Sequence, residues 1–141
     1  MTIKASKKEK NILYELHESD FVGYAIKGED LILRVGINCA VAANLDIDCE
    51  FGEKYYIYDI VCHKYKDFVI SYDNDSKQDI VLSEILAFQV HDDKYVLTLE
   101  IEACTCAYFV FDCESIEWKP VKLITWEELD SIETTDYINI K

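Results

Sequence analysis

The sequence predicts a mainly β fold of the α+β kind: an antiparallel β-sandwich or small barrel with short N- and C-terminal helices. Three observations carry this. Eight or so short apolar or alternating segments recur along the chain, set apart by turn signals roughly every ten residues. No strand alternates with a helix-length amphipathic segment, so the βαβ units of a parallel cofactor-binding sheet are not expected. Two capping boxes, Ser6 with Glu9 and Thr125 with Glu128, stand near the two ends.

Taken in order, Ser6 and Glu9 precede Ile12, Leu13 and Leu16 on one helical stripe, which predicts a short helix over residues 7–16. Residues 19–26 and 31–37 read as strands joined by the turn Lys27-Gly28-Glu29-Asp30. In the second of these, Leu31, Leu33, Val35 and Ile37 share one face, and Arg34, the only arginine, falls on the other. Residues 45–51 alternate strictly between apolar and other residues, as a strand does with one face in the core and one in water. Gly52-Glu53 turns the chain into a tyrosine-rich strand over residues 54–66. Residues 68–72 continue as strand up to the turn signal Asp73-Asn74-Asp75-Ser76. Residues 83–86 fit a strand or one helical turn equally well. Residues 87–91, 95–102 and 106–113 read as strands, the first two joined by a hairpin turn at Asp92-Asp93. Residues 121–124 read as an edge strand, because the only proline, Pro120, sits beside them and cannot donate to a ladder. Thr125 and Glu128 then open a short helix reaching residue 132. With no repeat, linker or low-complexity segment, residues 1–141 read as a single domain. A chain of this length buries roughly two-thirds of its unfolded surface.

Charge narrows the functions. The chain holds 28 acidic and 14 basic residues, a net charge of −14. Lys4, Lys7, Lys8 and Lys10 gather at the start beside one acid, Glu9, which leaves 27 acids and 10 bases for residues 11–141. A field of that sign repels nucleic acid and anionic membranes and attracts basic proteins or cations. Nucleic acid and membrane are therefore not expected as partners; the plainer use of such a surface is solubility. No apolar run has the length of a secretory signal or a membrane span. A cytoplasmic setting is expected, with the six cysteines (39, 49, 62, 104, 106 and 113) as thiols.

The motifs of catalysis are missing. The four glycines (23, 28, 36 and 52) are scattered, so no phosphate-cradling loop is formed. No serine sits in a nucleophile elbow, and His17, His63 and His91 lie in no local motif. Cys62 and His63 are neighbours and so face opposite sides of a strand, which argues against direct pairing. Cys104 and Cys106 share a strand face and could hold half a zinc site, but no second close pair completes it. Packing of Cys104, Cys106 and Cys113 in the core is the preferred reading. Asp73-Asn74-Asp75 opens like a calcium loop but lacks its glycine and terminal glutamate. Glu100 and Glu102 are two apart on a strand, where paired carboxylates could serve acid–base chemistry on a sugar. Their alternation with Leu99 and Ile101 marks them instead as a solvated face. No enzyme activity, cofactor or metal is expected.

The acidic faces themselves remain. Asp46, Asp48 and Glu50 project from one side of one segment about 7 Å apart. A row of like charges costs the fold stability, and it suits a lysine- and arginine-rich surface that docks there. Tyr55, Tyr56 and Tyr58 could supply amphipathic anchors beside Glu100 and Glu102, or could serve as sheet filler.

The stretch Leu16-His17-Glu18-Ser19-Asp20-Phe21-Val22, a turn, and then Asp30-Leu31-Ile32-Leu33 resembles the opening of several small bacterial β-rich families. In those families an L-H-D/E-S stretch leads into a hairpin, and members include immunity proteins of polymorphic and contact-dependent toxins. The likeness covers residues 16–35, and Glu18 stands where Asp is more usual. It implies a toxin inhibitor acting by protein–protein interaction. The partner would be a basic cognate toxin, a nuclease among the candidates, whose active site acidic side chains occlude. The alternative is a small-ligand-binding β-barrel module, with Arg34, His63 and Thr98 as inward-facing polar groups. Under the inhibitor reading, Asp46, Asp48 and Glu50 changed together to Ser leave folding intact and slow association with the partner. Stopped-flow mixing measures that rate, and an unchanged rate removes these residues from the interface.

Overall fold

The computed structural model describes residues 3–5, 16, 19–37, 54–73, 83–102 and 105–125. Among them are nine strands and no helix: β1 (Ile3–Ala5), β2 (Asp20–Lys27), β3 (Asp30–Ile37), β4 (Lys54–His63), β5 (Lys66–Tyr72), β6 (Ser83–His91), β7 (Lys94–Glu102), β8 (Thr105–Asp112) and β9 (Ser115–Thr125). They form one sheet in the order β1-β9-β4-β3-β2-β6-β7-β8-β5, every pairing antiparallel. The mainly β, antiparallel expectation is met at that level. The sheet is single and open, since among the described residues its end strands β1 and β5 do not pair with each other. The helices expected over 7–16 and 125–132 lie outside the described residues, apart from Leu16 and Thr125. The strand expected over 45–51 lies wholly outside them.

Local chemistry explains the strand ends. Gly28 takes φ +57° in the two-residue turn between β2 and β3, a conformation glycine adopts without strain. Asp92 and Asp93 both have positive φ, 51° and 63°, the mirror-image turn that matches the twist of a tight hairpin. The segment 54–66, expected as one strand, divides at Lys64-Tyr65, where Lys64 has φ 52°. Asp67, at φ 57°, then sits in the irregular start of β5. The ambiguity at 83–86 has a cause: β6 bulges between Ile85 and Ala87, which breaks the two-residue period. Pro120 marks no strand boundary. It lies within β9 at the bulge where Tyr58 pairs with Pro120 and Ile57 with Lys122, a place where a missing N–H is tolerated.

Chain connectivity rolls the sheet up. β4 and β5 stand six places apart in the sheet, about 29 Å if it were flat. Only residues 64 and 65 join them, a reach of about 10 Å. β8 and β9 are also six places apart and are joined by residues 113 and 114. The half made of β1-β9-β4-β3-β2 must therefore fold back over the half made of β6-β7-β8-β5. Among the described residues, the halves meet along the sheet only where Asp20 and Phe21 pair with Glu84 and Ser83.

Side chains hold the fold-over. Phe21 and Tyr24 of β2 meet Phe109 of β8 edge-on, with ring centroids 5.3 and 5.2 Å apart, although the strands are three places apart. Phe68 of β5 packs on Tyr24, Phe109 and Phe111. The interior also takes Leu31, Leu33, Val35, Ile60, Leu97, Leu99 and Trp118, all fully buried. Phe109→Ala lowers unfolding stability by about 3–5 kcal/mol, because its ring joins both halves. Val69→Ala, on edge strand β5 and 58% exposed, changes it by less than about 0.5 kcal/mol. Urea unfolding of both variants checks the contrast.

Candidate functional site

The two halves differ on the side away from the core. On the first half, Val22, Ala25, Ile57 and Val61 are buried although their strand neighbours fill the interior, so part of this half's outer face is covered too. Its outer polar groups are paired with one another. Arg34 Nε and Nη2 donate to the two carboxylate oxygens of Asp59 at 2.7 and 3.0 Å, a bidentate pair across β3 and β4. His63 bridges Asp30 (Nδ1 to Oδ1, 3.1 Å) and Glu117 (Nε2 to Oε1, 2.8 Å), tying β4 to β3 and β9. Lys119 stands opposite Asp59 in register.

These positions correct one part of the small-ligand expectation, its inward-facing polar groups. Arg34 lies between buried Leu33 and Val35, His63 follows buried Cys62, and Thr98 lies between buried Leu97 and Leu99. All three are on the face away from the core and line no interior.

From the edge of the first half across the second, strand register assembles a row that the sequence scatters. Asp20 of β2 pairs with Glu84 of β6, Glu84 with Glu100 of β7, and Glu100 with Cys106 of β8. The residues alternating with them, Phe21, Ser83, Ile85, Leu99 and Ala107, are buried, so the row lies on the outer face. It ends at Asp73, whose carboxylate accepts the Cys106 N–H at 3.2 Å and the Tyr108 hydroxyl at 2.7 Å. Three inter-strand steps make the row about 14 Å long. Directly opposed like charges destabilise a sheet. Among the described residues neither Glu84 nor Glu100 has a cation within ion-pair distance. Two rows further on, Gln89, Val96, Val110 and Val69 stand opposite one another, with Val69 the most open of the three valines. His91, Lys94 and Lys66 follow at the far end, so the face runs from acidic through aliphatic to mixed charge.

Other site expectations fare differently. Tyr58 is 4% exposed and packs edge-on against Trp118 at 6.3 Å; it is core, and its ring is no surface anchor. Tyr56 stands in β4 opposite Ile37 and Leu123. Glu100 and Glu102 do not keep the two-residue relation. A bulge sets them opposite consecutive residues of β8, Cys106 and Thr105. Asp46, Asp48, Glu50 and Cys104 lie outside the described residues. Cys113 packs in the core as expected, whereas Cys106 lies part-exposed on the outer face. Its thiol is pushed up first by burial and then by the charges of Asp73 and Glu100, which disfavours the thiolate a metal or a nucleophile needs. The Tyr108 phenol is pushed up to about 12, chiefly by its hydrogen bond to Asp73. No group of three or more metal-binding side chains gathers among the described residues.

Asp20, Glu84 and Tyr108 are missed from sequence as site residues, and Asp73 is read there only as part of a turn. Each is an ordinary polar residue in its own segment, and only register brings them together. Comparison with protein-family models, curated proteins and solved structures gives no match.

For the paired face, Arg34→Met leaves Asp59 part-buried without its fork and lowers stability by about 1–3 kcal/mol. Arg34→Lys restores only part of that, because an ammonium cannot reproduce the bidentate geometry. Chemical denaturation of both variants reads the difference.

Proposed function

We propose that this chain is a non-catalytic acidic binding protein that docks a basic protein through the outer face of β6, β7, β8 and β5. The cross-strand row Asp20–Glu84–Glu100 is the observation that carries this reading. Opposed carboxylates work against the fold and favour a lysine- or arginine-bearing partner. The neighbouring Val69, Val96 and Val110 offer aliphatic area beside that charge, as interfaces do at their centres. The folded-over sheet serves here as a sandwich-type body, with the first half as the frame and the other as the docking face. The likeness of residues 16–35 to immunity proteins makes a toxin with a basic cleft, such as a nuclease, the specific partner, neutralised in the bacterial cytoplasm by occlusion.

The alternative reading is a small-ligand module. Its support is the set of buried polar atoms without a hydrogen-bond partner among the described residues: Ser19 Oγ, Ser83 Oγ and Trp118 Nε1.

Affinity capture from lysate of the native host, with wild-type protein and an E84K/E100K variant washed at low and high salt, tests the proposal. Wild type retains one basic protein stoichiometrically, and the variant loses it, with association slowed on the order of tenfold or more. Equal retention by both proteins excludes the row from the interface. Ligand binding that persists in high salt with no protein retained favours the alternative.

A further inference from the structure

Cys62 ends the buried face of β4, and Cys113 follows β8. Both belong to the same core cluster, at 0% and 8% exposure, and both are free thiols. The residues that follow them are bonded backbone to backbone, the Glu114 N–H donating to the His63 carbonyl at 2.9 Å. This contact holds the chain just after Cys113 against the chain just after Cys62, with both side chains in the one core. Cys113 lies near enough to Cys62 to help raise its thiol, after burial. The place is particular in the fold: both short connections between the two halves lie here, at the opposite end of β3 from the two-pair seam.

We propose that Cys62 and Cys113 are an oxidisable pair, converted by a small diffusible disulfide into an intramolecular cystine that bolts the two halves of the sheet together. Cys113, the less enclosed sulfur, gives up its proton to solvent, and its thiolate attacks one sulfur of the small disulfide. A mixed disulfide forms on Cys113 and one small thiolate leaves, taking a proton from water. Cys62 loses its proton and attacks Sγ of Cys113. The Cys62–Cys113 bond forms and the second small thiol departs. Two electrons pass from the protein to the reagent, and one disulfide yields two thiols. Burial, and then the contact with Cys113, hold the Cys62 thiol well above its ordinary range, so the second step is the slow one.

The test uses a C39S/C49S/C104S/C106S protein, in which only this pair remains, exposed in its folded state to hydroxyethyl disulfide. The expected product has lost two hydrogens, takes up no alkylating label and gives a cross-linked 62–113 peptide. Its thermal midpoint rises by roughly 5–10 °C over the reduced form. Adding Cys62→Ala stops the reaction at a single mixed adduct on Cys113. If the four-serine protein does not fold, fragmentation of the cross-linked peptide from oxidised wild type gives the same answer. Two thiols that stay free, two mixed adducts without a cross-link, or a cross-link formed only in denaturant overturn the proposal and leave the pair as core packing.

Discussion

Two connections of two residues each, 64–65 and 113–114, constrain everything else in this fold. Each joins strands six places apart in the sheet order, and neither can reach unless the sheet rolls over on itself. Once it rolls, one face becomes interior for every strand that crosses it. The rings of Phe21, Tyr24, Phe68 and Phe109 then supply cohesion that the two-pair hydrogen-bonded seam cannot. The same geometry sets Cys62 beside Cys113.

The roll also separates two kinds of outer surface. On the first half, apolar side chains are buried on the outer face too, and polar groups there are bonded to one another: Arg34 with Asp59, His63 with Asp30 and Glu117. On the second half the carboxylates are stacked like against like, next to part-exposed valines. A surface selected only for solubility has no need to align its acids across hydrogen-bonded strands, where repulsion is greatest. Within one small sheet, the outer face of the first half thus carries cross-strand hydrogen-bonded polar groups, and that of the second opposes Glu84 to Glu100.

Much of the strand content was legible in the sequence, because alternation and turn chemistry are local. The pattern Leu31, Leu33, Val35, Ile37 marked a core face, and all four are fully buried. Gly28 and Asp92-Asp93 marked hairpins, and each takes a left-handed conformation there. Alternation failed where both faces are covered: Ile57 and Tyr58 are consecutive and both buried, so nothing in that run showed which way the Tyr58 ring turns. It failed again at the bulges near Leu86 and Ile101, each of which shifts the period by one residue. Strand order was not legible, since no local signal says that β5 leaves β4 for the far edge. The acidic row was hidden for the same reason: Asp20, Glu84 and Glu100 come from three segments that only register aligns.

The central claim is that the row is held at a cost to the fold. The direct measurement is the unfolding free energy of an E84Q/E100Q variant against wild type, by urea titration at low and high salt. The account predicts a gain of about 0.5–1 kcal/mol at low salt that shrinks as salt screens the repulsion. A loss of stability on neutralisation, at either salt, would mean that these carboxylates hold the sheet together, and would contradict it.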